Sequence, residues 1–209
     1  MNEIKETGGA RIGMANATWP FATLTVSKDK LELNAPIVGN LIFKPADIIS
    51  ISPYSGFMSS GLKINHKVPK YKDHVVFWTF SNTNNLIKRI EQTGFLTNTE
   101  PISDELENRI TSAQSRGGFP IKTSAAIAIV VIWNILFLID YREFFGYEIE
   151  GSPLGIGAHL ALGFILLTCV LLLTFEPVRQ IVLKEGRTVD DIKKFIYFIM
   201  LICGFMLLS

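Results

Sequence analysis

Cysteine, net charge and clustered acid–base residues are scarce in this sequence. Only 2 cysteines occur in 209 residues. They are Cys169 and Cys203, both inside apolar runs, so a disulfide framework and a thiolate metal site are excluded. Lys and Arg number 20 and Asp and Glu 19, a formal charge of +1. That is not the basic excess of a nucleic-acid binder. In the front half the carboxylates Asp29, Glu32, Asp47 and Asp73 stand singly at turns. No pair and no Ser/His/Asp spacing is present, so no catalytic residue is expected. Ser59-Ser60-Gly61 lacks the Gly-x-x-x-x-Gly-Lys pattern of a phosphate loop, and no cofactor is expected either. The opening MNEIKETGGAR is polar and Gly-rich, without the apolar core of a signal peptide. Residues 1–10 therefore read as a flexible N-terminus, and the part that follows is expected to stay in the cytoplasm.

Long hydrophobic runs are present, and they are confined to the second half. Ile121 to Ile139 carries one charge, Lys122, at its start. As a helix it would be roughly 28 Å long, about one hydrocarbon core. Leu154 to Phe175 has no formal charge and would reach roughly 33 Å. A third run, Phe195 to Leu208, is only about 21 Å long by itself. Started near Val189, with Thr188 as cap and Asp191 at the capping-box position, it would reach about 30 Å, with Lys193 and Lys194 snorkelling to the head groups. The expectation is three spans, at about 121–139, 154–175 and 189–208. Basic residues set their direction. Arg109, Arg116 and Lys122 precede the first span, and Arg179, Lys184, Arg187, Lys193 and Lys194 follow the second. The loop between those two spans has only Arg142. The front domain is then cytoplasmic and the C-terminus outside, in a multi-pass protein of a bacterial-type inner membrane.

From Arg11 to about residue 95 the apolar spacing is mostly two, with frequent turn signals, as in a small β-barrel or sandwich. Phe21 to Val26, Leu31 with Leu33, Gly39 to Phe43, Ile48 to Ile51 and Gly61 to His66 read as strands. His74 to Phe80 is apolar on both faces and is expected to be the most buried. Asn84 to Thr93 switches to helical spacing, with Gly94 as its stop. Strands in a curled barrel closed by one helix resemble the pleckstrin-homology (PH) superfold. Phe43-Lys44-Pro45-Ala46-Asp47-Ile48-Ile49-Ser50-Ile51 is similar to the strand-turn-strand of GRAM-type and bacterial PH-like domains. Arg11-Ile12-Gly13, Asn16 to Phe21, and Phe77-Trp78 followed by Leu86-Ile87 resemble uncharacterised bacterial proteins that couple such a domain to membrane helices. The resemblance implies an α+β chain, a PH-like β-barrel with one C-terminal capping helix at 11–95 and a membrane segment at 121–209. It carries no catalytic residue. Phosphoinositide-binding PH domains bear a basic signature between their first two strands, where this chain offers only Ser27-Lys28-Asp29-Lys30. Residues 96–120 read as a linker with a short helix. Ser103 is its N-cap, and Ile102, Leu106, Ile110 and Ala113 form its apolar stripe.

Two sets of polar residues are candidate sites. The hairpin from Lys63 to His74 gathers Lys63, His66, Lys67, Lys70, Lys72 and His74 against Asp73. It reads either as a contact for anionic lipid head groups or an acidic protein, or as a solvated edge that lysines keep from aggregating. No carboxylate or cysteine cluster supports its histidines as metal ligands. Within the spans, Asn134 and His159 fall at the same depth, about 7.5 Å below the outer surface. Antiparallel helices could join them by a hydrogen bond, the alternative being a proton or substrate path. Gly155, Gly157, Ala161 and Gly163 suit close helix packing, within the chain or across a homo-oligomer seam. The functional expectation is a membrane-anchored, non-catalytic interaction module. The alternative is an accessory subunit of a transport or channel assembly, with Asn134 and His159 facing a cavity.

Overall fold

The computed structural model describes residues 3–36, 38–56, 60–144 and 155–208, with side chains of 141–144 left out. The aromatic belt that Tyr141, Phe144, Phe145 and Tyr147 would suit lies outside the described side chains. The chain divides into two compact units, Met1–Pro120 and Ile121–Ser209.

The first unit is a curled, seven-stranded antiparallel half-barrel with two helices. Its strands are β1 (Ile4–Ile12), β2 (Ala15–Val26), β3 (Leu31–Ala35), β4 (Gly39–Phe43), β5 (Ile48–Ser55), β6 (Ser60–His66) and β7 (Val75–Thr79). The order in the sheet is β4-β3-β2-β1-β7-β6-β5, so one four-strand and one three-strand meander are joined through the β1–β7 pair. Alternation sends Leu24, Val26, Leu31, Leu33, Leu41, Phe43, Leu62, Ile64 and Phe77 into one core where each is essentially inaccessible. Helix α1 (Thr83–Gln92) follows β7. Asn82 caps it by accepting from the Asn85 N–H at 3.1 Å, and Leu86 and Ile90 face the core.

The expected flexible N-terminus at 1–10 is corrected from Ile4 onward, because Ile4–Ile12 is β1, the central strand on which both meanders close. Its sequence is too polar to show an apolar alternation. What holds it is a backbone ladder on each edge, from Ile4↔Val26 to Ile12↔Ala15 with β2 and from Gly9↔Trp78 to Ile12↔Val75 with β7. The Glu6 carboxylate adds a side-chain clamp. It accepts from Thr79 Oγ1 at 3.2 Å, Ser81 Oγ at 2.5 Å and an Arg89 Nη at 3.1 Å, tying β1 to β7 and α1. The most buried strand is β4 rather than β7. All five β4 residues are buried, whereas Trp78 is half-buried and Phe80 is 78% exposed.

The outer face of β4 is covered by α2 (Asp104–Ser115), so 96–120 is not a linker but part of the first unit. Ser103 caps α2 at the Leu106 N–H, 3.4 Å away, and Ile110 is buried. Gln114 Nε2 donates to the Ile42 carbonyl at 3.0 Å and to Asp47 at 2.6 Å. Lys44 donates to Glu107 at 2.7 Å, a bond that raises the lysine's pKa despite the opposing effect of its burial.

The second unit comprises α3 (Thr123–Phe144), α4 (Ile156–Thr174), α5 (Glu176–Val182) and α6 (Lys193–Leu208). Among the described residues two helices, not three, are long and apolar enough to cross a membrane: α3 over Thr123–Asp140 and α4 over Ile156–Thr174. The expected third span fails at its start. The Thr188/Asp191 capping box forms, but it closes a 3-10 turn at Val189–Asp191, and Ile192 breaks from helical geometry before α6 begins. The 16 residues of α6 reach roughly 24 Å, short of a hydrocarbon core. Ala125, Cys169, Leu172, Val182, Leu183, Ile192 and Ile196 make this unit's buried cluster, where α3, α4, α5 and α6 converge.

The Glu6 clamp makes a testable prediction. Burial pushes the Glu6 carboxyl up, but the hydrogen bonds from Ser81, Arg89 and Thr79 and the Arg89 charge outweigh it and hold the pKa below the ordinary 4.5. A depressed carboxylate pKa stabilises the fold above the unfolded-state value, and that stability is lost as pH falls through the folded value. Glu6→Gln should lower the stability of the first unit by about 1–3 kcal/mol at pH 7. It should also flatten the acid limb of a stability-versus-pH curve below 4.5, as read by chemical unfolding at several pH values.

Candidate functional site

The lysine hairpin is a shaped loop on a packed base. His66 is buried, with its ring 5.0 Å from that of Phe43, and the Phe43 and Tyr71 rings meet edge-on at 5.4 Å. His66 Nδ1 accepts the Val68 N–H at 3.2 Å, so Nε2 carries the proton and donates to the Lys72 carbonyl at 3.0 Å. Both ring nitrogens are thereby spent on the loop's own backbone. His66 is a staple and not a contact residue, which corrects its place among the candidates. Lys67 N–H donates to the Asp47 carbonyl at 3.0 Å, and Tyr71 N–H to that of Val68 at 3.2 Å. His74 is half-buried, and its carbonyl accepts the Gly13 N–H at 2.8 Å. Lys63 is half-buried on β6.

Lys67, Lys70 and Lys72 remain. All three are exposed, and none forms an ion pair among the described residues. The β1–β2 turn stands beside them, a neighbour the sequence reading did not assign. A Cβ on Gly13 would come within 3.2 Å of Lys72 Cγ, the next residue, Met14, is 93% exposed, and Arg11 is exposed just before it. Basic side chains and a projecting apolar tip thus share one edge of the half-barrel. No spacing rule could have joined Met14 to Lys72. The turn at Ser27–Lys30 lies between β2 and β3, and its lysines are committed, Lys28 to Glu100 at 2.5 Å and Lys30 to Glu32 at 3.1 Å. Among the described residues no group of three or more His, Cys, Asp or Glu is placed to hold a metal ion.

In the second unit Asn134 and His159 do not pair. Asn134 is exposed, and its amide donates to the Val130 carbonyl at 2.7 Å. His159 Nδ1 meets the Gly155 carbonyl at 2.8 Å. Each polar group is satisfied one turn back on its own helix, which costs no alignment between neighbours. The interhelical polar contact is made instead by Asp140, near the end of α3. Its two carboxylate oxygens accept the N–H groups of Gly157 and Ala158, each at 2.6 Å. Those are orphan donors of the α4 N-terminus, where the helix dipole also favours a negative charge.

The contact needs glycines. A Cβ on Gly155 would lie 2.5 Å from Asp140 Cγ, and one on Gly157 would lie 2.5 Å from the Leu136 carbonyl oxygen. Ala161, one turn on, is fully buried, but a Cβ on Gly163 would meet nothing within 4 Å. The small-residue set is therefore split, with Gly155, Gly157 and Ala161 in the packed part and Gly163 outside it. Comparison with family models, with curated proteins and with solved structures gives no match to this chain.

Removing the Asp140 carboxylate strands two donors in an apolar setting. Asp140→Ala should cost about 2–3 kcal/mol, read as a lower melting temperature of the detergent-solubilised protein. Asn134→Leu should stay within about 0.5 kcal/mol of wild type and leave the accessibility of His159 unchanged.

Proposed function

We propose that the protein is a membrane-anchored, non-catalytic interaction module. Its half-barrel is PH-like, α3 and α4 cross a bacterial-type inner membrane, and the Lys67/Lys70/Lys72 edge meets anionic lipid head groups on the cytoplasmic side. The observation that carries the lipid contact is the hairpin. Its backbone is fixed by His66 and Tyr71 while the three ammonium groups project without ion pairs among the described residues, beside an exposed Met14. Each lysine near a charged leaflet contributes about 1 kcal/mol, and an apolar tip adds its own burial.

The PH-like reading is supported by a four-strand meander, then a three-strand meander, then a single helix, α1, against β5 and β6. The membrane reading is supported by what α3 exposes. Only 6% of its apolar window is buried, with Ile127, Val130, Ile135 and Leu138 each more than half exposed. A core helix of a soluble protein would bury such residues. The cytoplasmic placement rests on the basic residues flanking the runs. Nothing favours the transport alternative, since Asn134 and His159 each spend their polar group on their own helix.

Hydrogen exchange of the full-length protein in nanodiscs provides the test. Residues 63–74 should be more protected in discs with anionic lipid than in neutral ones. A Lys67→Glu/Lys70→Glu/Lys72→Glu variant should lose the difference, and raised salt should shrink it. Equal protection in both lipids would sink the lipid contact. If the same hairpin were instead cross-linked to a protein from membranes, the occupant would be that protein.

A further inference from the structure

Alternation along β7 sends Phe77 into the core and leaves Trp78 on the outer face of the half-barrel. The Trp78 indole lies across Gly9 of β1, where a Cβ would come within 2.2 Å of two of its ring atoms. Opposite Gly9 the β1–β2 ladder breaks. Its register jumps from Gly8↔Ala22 to Ala10↔Ala17, so residues 18–21 of β2 bulge against that one glycine. A bulge re-aims the side chains it carries, and here Trp19 joins the same patch. The Trp19 and Phe80 rings meet edge-on at 5.7 Å, and those of Trp78 and Phe80 at 6.3 Å. Trp19 is 49% exposed and Phe80 more so. Neither indole N–H has a hydrogen-bond acceptor among the described residues.

The charge on this face has one sign. Arg11 and Lys63 each pair with Val76, so they flank β7 on its outer side, about 7 Å along the strand from Trp78. Neither forms an ion pair among the described residues. Arg11 Nε donates to the Gly13 carbonyl at 3.3 Å, which leaves the two Nη groups to a ligand. The next positions along these cross-strand rows are Asn16, Ser52 and Tyr54, none of them acidic. Glu6, bonded to Ser81 just past Phe80, is neutralised by Arg89.

We propose that this face docks an extended, acidic segment of a partner protein. Apolar side chains of the segment lie on Trp19, Trp78 and Phe80, and its carboxylates meet Arg11 and Lys63. Rigid aromatic rings supply contact area at low entropic cost, and a guanidinium offers a carboxylate a forked pair of donors. Two cations without a facing carboxylate select an acidic occupant by complementarity. A bilayer takes side chains that project from a tip, as Met14 does, whereas these rings lean on one another across β2 and the end of β7. The face is built from other residues than the Lys67/Lys70/Lys72 edge, and it does not depend on the lipid contact proposed there.

Selection from a random peptide library against the full-length, detergent-solubilised protein tests the proposal. Enriched peptides should carry Asp or Glu beside aromatic, aliphatic or proline residues. Fluorescence polarisation of one such peptide then reads affinity. Phe80→Ala should weaken binding about tenfold or more. Arg11→Gln/Lys63→Gln should weaken it about tenfold and flatten its dependence on salt. Arg11→Lys/Lys63→Arg, which keeps both charges, should retain most of the affinity and serves as the folding control. The Lys67→Glu/Lys70→Glu/Lys72→Glu variant should bind as wild type does, so failure of the hairpin reading leaves this face standing. Enrichment of peptides without acidic residues, or binding that survives both weakening variants, would overturn the proposal. So would stronger hydrogen-exchange protection of residues 78–81 in anionic than in neutral nanodiscs with no peptide added, which would make the bilayer the occupant.

Discussion

A helix in an apolar setting leaves orphan N–H groups at one end and orphan carbonyls at the other, with no water to satisfy them. The second unit is arranged around meeting that demand for α4. Asp140 reaches across from α3 to accept two N–H groups at its start, and Arg179 folds back from α5 to donate to two carbonyls at its end. Negative charge at the N-terminus and positive charge at the C-terminus both run with the helix dipole. The two charges also fix their carriers. Asp140 sets the approach of α3 over Gly155 and Gly157, and Arg179 sets the corner at Phe175 from which α5 departs. Lys122 repeats the device at the end of α5, on the Gln180 carbonyl.

The first unit solves a related problem by other means. A central strand as polar as β1 gains little from burial, so its position depends on two backbone ladders and one carboxylate. Glu6 links β1, β7 and α1, so the clamp joins the two meanders at the one place where strands distant in sequence pair. Long-range pairing of this kind orders much chain before it returns any contact. A charged clamp at the seam therefore adds stability where the sheet most needs it.

Legibility in the sequence followed the physics of each segment. Strands with an apolar alternation, such as Leu31–Ala35 and Ser60–His66, were readable because period two reports a buried face directly. The cap at Ser103 and the box at Thr188 and Asp191 were readable because capping is local. What the box closed was not, since whether a helix continues through Ile192 depends on packing within the buried cluster. β1 was missed because backbone pairing leaves no hydrophobic trace. Asn134 and His159 were expected to meet because depth was known, but depth does not say which way a side chain turns around the helix axis. Asp140 escaped notice for the opposite reason. It falls just past the apolar run Ile121–Ile139, yet it stands inside α3 and works as a cap on the neighbouring helix.

The same distinction between a charge counted and a charge used governs the search for a binding surface. Lys28, Lys30, Lys44, Arg89, Lys122 and Arg179 all contribute to the basic total, yet each is already committed to a carboxylate or a helix end. An incoming anion would have to break those bonds before making its own, so such residues add little to affinity. Among the described residues Lys67, Lys70 and Lys72 have no ion pair to break, and their backbone is held by His66 and Tyr71, so little conformational entropy would be lost in the proposed surface contact. Preorganised backbone beneath exposed charge, rather than the number of lysines, is what the proposed contact at this edge rests on.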